Sequence, residues 1–456
     1  MIDMHKVVQG LSIQTHPKGH NLRPMNSRIR HALRGLTLLA AATAAHAGAP
    51  QPFSEDLFLD WDGFREALRQ EGIDFRVGYV SETATNAQGG DRRLVSYTDQ
   101  WLFMGTLDLN ELFSDPNAIL RIAITDRNGR NLSDDAHLGS LQQVQELYGR
   151  GQTWRITQFW YDQQYLGGML DWKIGRITEG EDFAAFSCEF MNLTFCGAPP
   201  GNLVGSYWYN WPVSQWATRI KANFKGFGYV QLGAYEVNPS YLQVQHAFGL
   251  GDPAGATGVL VPFEVGWLPT FGPKLDGSYK FGGWYNSSRG RDVVTNTVGQ
   301  PLLLDGGTPR MHDGQYGGYV NFLQRVVASS AGDKRGVRVF LNATFADRLT
   351  STLDNQIAVG LLATGLFDAR PDDDTGFAVG RTHVNSRVAE AERAANAAGL
   401  GPVGVQTAEY AAELFWSFNP ARWIALRPNV QYVWKPGGLA HTTDDVIVGL
   451  KLSINL

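Results

Sequence analysis

From Ile73 to the C-terminus the chain alternates apolar and polar residues with period two, in runs of about ten. Ile73, Phe75, Val77 and Tyr79 interleave with Asp74, Arg76 and Gly78, and Val446, Val448, Leu450, Leu452, Ile454 and Leu456 close the sequence in the same rhythm. Such runs fit strands with one face in hydrocarbon and the other in water. Sixteen segments qualify: 73–83, 96–110, 117–126, 152–163, 168–177, 215–225, 227–237, 259–268, 277–288, 315–327, 334–346, 355–367, 375–388, 406–418, 422–434 and 445–456. The gaps between them alternate, with 8 to 37 residues in the odd-numbered gaps and 1 to 8 in the even-numbered ones. Long loops at one end and tight turns at the other are the pattern of an outer-membrane barrel, and a soluble sandwich has no reason for it. Hydrocarbon offers no partner to an unpaired N–H or C=O, so a sheet there must close on itself. The reading is therefore all-β: a transmembrane antiparallel barrel of sixteen strands over 73–456, with long extracellular loops. At that width side chains do not fill the interior.

Composition agrees by exclusion. No run of about 18 apolar residues occurs, so helices do not span a bilayer here. The net charge of −5 leaves no electrostatic footprint for nucleic acid. Met25–Arg34 is a basic stretch, Gly35–Ala45 is short and apolar, and Ala45-His46-Ala47 supplies a small-x-small site. Residues 1–47 thus read as an N-terminal extension and secretory signal, cut after Ala47, with Met1 and Met25 both open as starts. Residues 48–72 read as an amphipathic, short periplasmic helix carrying Leu57, Trp61, Phe64, Ala67 and Leu68 on one side. Removal of the signal takes away six basic residues and one acid, leaving a net charge of −10. Export permits a disulfide between Cys188 and Cys196; two buried thiols are the other reading.

If the apolar phase of each strand faces lipid, the opposite phase faces the bore. That phase holds Arg76, Glu82, Arg121, Arg155, Arg219, Lys221, Glu264, Lys280, Arg325, Arg338, Glu409, Glu413, Arg427 and Lys451, a basic excess inside an acidic chain. A basic residue on the lipid side at mid-bilayer would cost about 2–4 kcal/mol, which supports the inward placement. Arg76, Glu82, Arg121, Arg219, Glu264, Arg338, Glu413 and Arg427 are the expected pore-lining charges. Tyr229, Tyr235, Trp284 and Tyr319 share the phase and could stack on a pyranose. Trp101, Trp160, Trp172, Trp216, Tyr432 and Trp434 are the expected interfacial girdle.

Several longer stretches resemble one family: DWDGFREALRQEGIDF (60–75), SETATNAQGG (81–90), DWKIGRITEGEDFAAFSCEFMNLTFCG (171–197), WPVSQWATRI (211–220), GAYEVNP (233–239) and AELFWSFNPARWIALRPNVQYVWKPGG (412–438). The chain is similar to carbohydrate-selective porins of the OprB type from about Leu57 to Leu456. The C-terminal Leu456, where such barrels commonly end in Phe, is a departure. The resemblance implies passive entry of glucose-like sugars across an outer membrane rich in lipopolysaccharide, with no cofactor. Subunit number, monomer or homotrimer, stays open. It also implies that the third long loop, 178–214, folds inward and narrows the channel. That loop carries Glu179, Glu181, Asp182 and both cysteines, so an acidic constriction would face a mainly basic wall. Carboxylate accepts from a sugar hydroxyl and guanidinium donates to it, so mixed Arg and Glu can replace the solute's hydration. Passage requires weak binding, millimolar or about 4 kcal/mol.

Other signals are bland. Histidines 137, 246, 312, 383 and 441 are scattered with no metal spacing, no G-x-S-x-G or P-loop occurs, and 371–376 reads as turn chemistry. The stretch 388–399 reads as a small helix in a loop. Three readings compete with the sugar porin: a general or anion-preferring porin, a barrel-borne hydrolase and an exported soluble sugar-binding protein.

Overall fold

The computed structural model describes residues 63–251, 254–329 and 334–456. Its strands are β1 (Ile73–Gln88), β2 (Val95–Asp108), β3 (Ala118–Gly129), β4 (Trp154–Tyr165), β5 (Leu170–Ile177), β6 (Gln215–Phe224), β7 (Gly228–Val237), β8 (Gly258–Trp267) and β9 (Gly277–Asn286). They continue as β10 (Gly290–Asn296), β11 (Pro309–His312), β12 (Gln315–Ala328), β13 (Gly336–Ala346), β14 (Leu353–Thr364), β15 (Asp374–Val384), β16 (Ala408–Ala421), β17 (Ile424–Trp434) and β18 (Asp445–Asn455). All but β10 and β11 form one closed barrel of sixteen strands, joined antiparallel at a seam between β1 and β18. Each of the sixteen periodic segments became one barrel strand. The hairpin β10–β11, within the long gap at 289–314, stands apart in the connection from β9 to β12.

Closure follows from the backbone requirement. The seam pairs Glu82 with Lys451 and Thr83 with Leu450, so no edge is left for lipid to solvate. On the outer face Leu232, Phe263, Val448 and Leu450 are exposed, as a lipid-facing phase demands. Aromatics pair along the outer phase: Tyr79 lies 4.7 Å from Trp101, Tyr161 6.2 Å from Trp172, and, at a strand end, Tyr410 stacks on Trp434 at 5.3 Å. Trp216 is on the outer phase too, but its indole N–H donates to Leu250 O of a loop that covers it.

Trp160 departs from the girdle expectation. Its register partner is Arg121, and its ring lies under that guanidinium at 5.0 Å, inside the barrel. A bulge in β4 carries the pairing from Ala123–Gln158 to Ile124–Ile156, skipping Thr157 and reversing the phase within one strand. The sequence holds a sign of this. Asp162 shares Trp160's phase, and a carboxylate does not belong in hydrocarbon.

The described part of the N-terminal segment is a short helix, Phe64–Gln70. Its Arg65 is buried and donates to Leu456 O at 3.4 Å and to Phe75 O at 3.2 Å, so the helix grips both chain ends of the barrel beside the seam. Residues 48–62 and the signal region lie outside the described residues. A helix at Ser386–Ala397 occupies the loop where a small one was expected.

The bore is not simply water. Two long connections, 130–153 and 178–214, turn into the barrel and pack apolar side chains against its inner wall. One cluster joins Leu132, Val144, Phe190, Met191 and Phe195 to Phe340, Phe415 and Ile447. A second joins Phe183, Val204, Tyr207 and Trp208 to Trp160, Tyr235, Trp284 and Tyr319. Lumen-phase aromatics are here largely consumed by the inserts.

Candidate functional site

The site is where the two inserts meet the wall, and charge decides how they meet. The third long loop begins with the helical turn Glu179–Asp182. Asp182 reaches Lys173 Nζ at 2.7 Å and Arg219 Nη2 at 3.7 Å. Arg219 also faces Asp162 at 3.3 Å and, as an ion pair without hydrogen-bond geometry, Asp171 at 2.8 Å. Burial opposes charge on Asp182, yet Lys173 and Arg219 outweigh it and hold its carboxyl below the ordinary value. Glu181 accepts from Gln158 Nε2 at 2.7 and 2.6 Å. Glu179 is fully buried, and burial pushes its carboxyl well above the ordinary value.

The loop then crosses the bore. Ala184 N–H donates to Glu264 at 2.8 Å, and Lys280 donates to Ala185 O. Cys188 and Cys196 form a disulfide that closes the loop's tip. Within that tip Met191 and Asn192 N–H donate to the two oxygens of Glu413, at 2.8 and 2.7 Å, and Glu189 pairs with Arg427 at 3.1 Å. The other insert is held in the same way. Leu141 and Gln142 N–H donate to Glu409, at 2.5 and 3.3 Å, and Leu147 N–H donates to Glu82 at 3.2 Å. Lys451 bridges Glu82 at 3.1 Å and Glu146 at 2.7 Å. The inserts bond to each other through Glu146 N–H to Met191 O and Leu193 N–H to Gln143 O, both 2.9 Å.

These contacts correct part of the sequence reading. Glu82, Glu264 and Glu413 are buried acceptors of loop backbone, not carboxylates presented to a solute. Tyr229 donates to Glu264 at 2.7 Å beneath Lys221, and Trp284 donates to Tyr207 Oη at 3.2 Å, so neither ring offers a free face. Arg219 is locked among carboxylates. Arg427 is committed to Glu189 and lies over Phe415 at 4.7 Å. The less committed groups are Arg121, Arg338 and Arg76. Among the described residues Arg121 bonds Thr106 Oγ1 at 3.1 Å, beside the Trp160 ring. Arg338 makes no ion pair among the described residues and is only partly buried. Arg76 pairs with Asp74 at 3.0 Å while its side chain stays half exposed.

A family model for the carbohydrate-selective porins of the OprB family matches residues 92–456. The chain belongs to that family. It is 40% identical over 450 residues to Porin B of Pseudomonas aeruginosa, covering 95% of this chain and 99% of the relative. The solved high-pH structure of Pseudomonas putida OprB superposes with a TM-score of 0.85 at 40% identity, covering 89% of this chain and all of that one. The low-pH structure gives 0.57 at 30% identity, covering 91% of this chain and all of that one.

Sequence reasoning missed several residues of this OprB-family site. Lys173, Asp162 and Asp171 share one phase of their strands with Arg219, and that clustering was the available signal. Glu146 and Gln158 carried none. The first lies in an aperiodic insert and the second directly follows the bulge.

Proposed function

We propose that the protein is an outer-membrane porin through which glucose-like sugars diffuse passively, along a path lined by Arg121, Glu181, Gln158, Arg76 and Arg338. It is a channel and not an enzyme on this reading. Family membership supports the carbohydrate class. The observation that carries the local reading is the third loop itself: its Glu181 faces the β3–β5 wall with Gln158, while Arg121 on that wall has no carboxylate within salt-bridge reach among the described residues. Carboxylate, amide and guanidinium together can exchange hydrogen bonds with hydroxyls without a net charge requirement on the solute. Export by a signal cut after Ala47, a linking segment at 48–72 and a barrel domain at 73–456 complete the proposal. N-terminal sequencing of the mature protein tests the cut.

The test is single-channel current through reconstituted protein with and without glucose. Reversible, millimolar, sugar-dependent reduction of current is expected. Absence of any block, with full permeability to chloride, would leave an anion-preferring porin. The incompletely neutralised Arg338 and Arg121 favour that second reading, and the reversal potential in a salt gradient measures it.

A further inference from the structure

We infer that Glu264 and Glu413 are positioning residues, two posts between which the third loop is strung, and that they set the size discrimination of the channel. The inference rests on the sugar-porin reading and adds residues that act through the loop. A peptide crossing a bore loses water from its N–H groups without gaining ladder partners. Charge-assisted acceptors on the wall supply the missing bonds at about twice the strength of neutral ones.

The two posts stand six strands apart around the barrel, on β8 and β16. Glu264 takes Ala184 N–H at the loop's near end. It is itself aimed by Tyr229 at 2.7 Å, Gln231 at 2.8 Å and Tyr319 at 2.8 Å. The rings of both tyrosines lie flat over glycines of neighbouring strands: a Cβ on Gly266 would strike Tyr229, and one on Gly282 would strike Tyr319. Glycine at these two places lets the rings lie down and point both hydroxyls at one carboxylate.

Glu413 takes the far end. Its two oxygens receive successive N–H groups, Met191 and Asn192, inside the segment that the Cys188–Cys196 disulfide closes. Asn192 Nδ2 adds a bond to Gln431 Oε1 at 2.9 Å on the next strand. A carboxylate can serve both N–H groups. An amide cannot, because its NH2 would face one of them. Glu413→Gln should therefore free one end of the strap. Glu264 receives Ala184 N–H and Tyr319 on one oxygen and Tyr229 and Gln231 on the other, so an amide there must also turn its NH2 toward donors, and Glu264→Gln should loosen the other end while the barrel's own ladder is untouched.

The experiment is swelling of liposomes containing full-length protein in isosmotic glucose, maltose and raffinose, with heat-modifiable gel mobility as the check on the barrel. In the wild type, entry should fall steeply from monosaccharide to trisaccharide. Each single variant should raise raffinose entry relative to glucose several-fold, with mobility unchanged and open-channel noise increased. The double variant should flatten the size dependence further. Glu236→Gln, outside the strap and bonded to Asn238 and Tyr241, should behave as wild type. An unchanged raffinose-to-glucose ratio in folded Glu413→Gln and Glu264→Gln would overturn the inference, and if one variant does not fold the other decides it. A wild type without sugar-dependent entry would instead overturn the sugar-porin reading.

Discussion

The barrel wall and the inserts inside it face the same problem, backbone without water, and solve it differently. Along the wall every strand finds its partner in a neighbour of matching period, from Ile73–Leu107 in the first hairpin to the Glu82–Lys451 seam. Inside, the inserts have few ladders. Their N–H groups go to Glu82, Glu264, Glu409 and Glu413, and their acids go to Lys173, Arg219, Arg427 and Lys451. The wall is a repetitive solution that tolerates many apolar side chains. The insert is built of particular pairs, so a single substitution reaches it.

Four measurements strain that contrast, beginning with the largest expected effect. Arg219→Ala leaves Asp162, Asp171 and Asp182 facing each other with one cation fewer, at a cost of about 3–5 kcal/mol for breaking a buried pair. Equilibrium unfolding from lipid vesicles should show it. A loss near zero would mean that the cluster is open to water and not a bolt. Leu450→Arg, on the outer face, should cost about 2–4 kcal/mol in the same assay, and a neutral result would move Leu450 out of the hydrocarbon.

The third measurement concerns pH. Glu179 has its carboxyl raised by burial, so the stability of its neutral form is complete below its unfolded value and is lost as pH rises through the raised folded one. Melting followed by tryptophan fluorescence should decline on the alkaline side, and Glu179→Gln should flatten that decline. Parallel profiles for the two proteins would place Glu179 in contact with water. The smallest stability effect belongs to Arg338→Ala, within about 0.5 kcal/mol, because among the described residues it has no ion pair that a truncation would orphan. Its effect should lie in the reversal potential, shifted toward cations. An unmoved potential would remove Arg338 from the ion path.

Legibility followed the same division. Sixteen strands were readable because lipid imposes period two on each of them. The inward phase of Arg76, Arg121, Arg219, Arg338 and Arg427 came with it. Trp160 goes to the inner face because one inserted residue, Thr157, reverses the phase within β4, and in the sequence only Asp162 on the same phase marks the reversal. Glu264 and Glu413 were readable as inward but not as anchors, because their partners are backbone N–H groups of a loop with no period at all.

By itself the sequence determined most of the wall: its strand number, its closure into one sheet and the face that strand residues show wherever no bulge shifts the phase, since a two-residue repeat against hydrocarbon admits one arrangement. Only the tertiary structure decided what fills the bore. Carboxylates at 82, 264, 409 and 413 meet loop segments far from them in sequence, and a meeting between a side chain and an amide leaves no trace in the identity of the residue that supplies the amide.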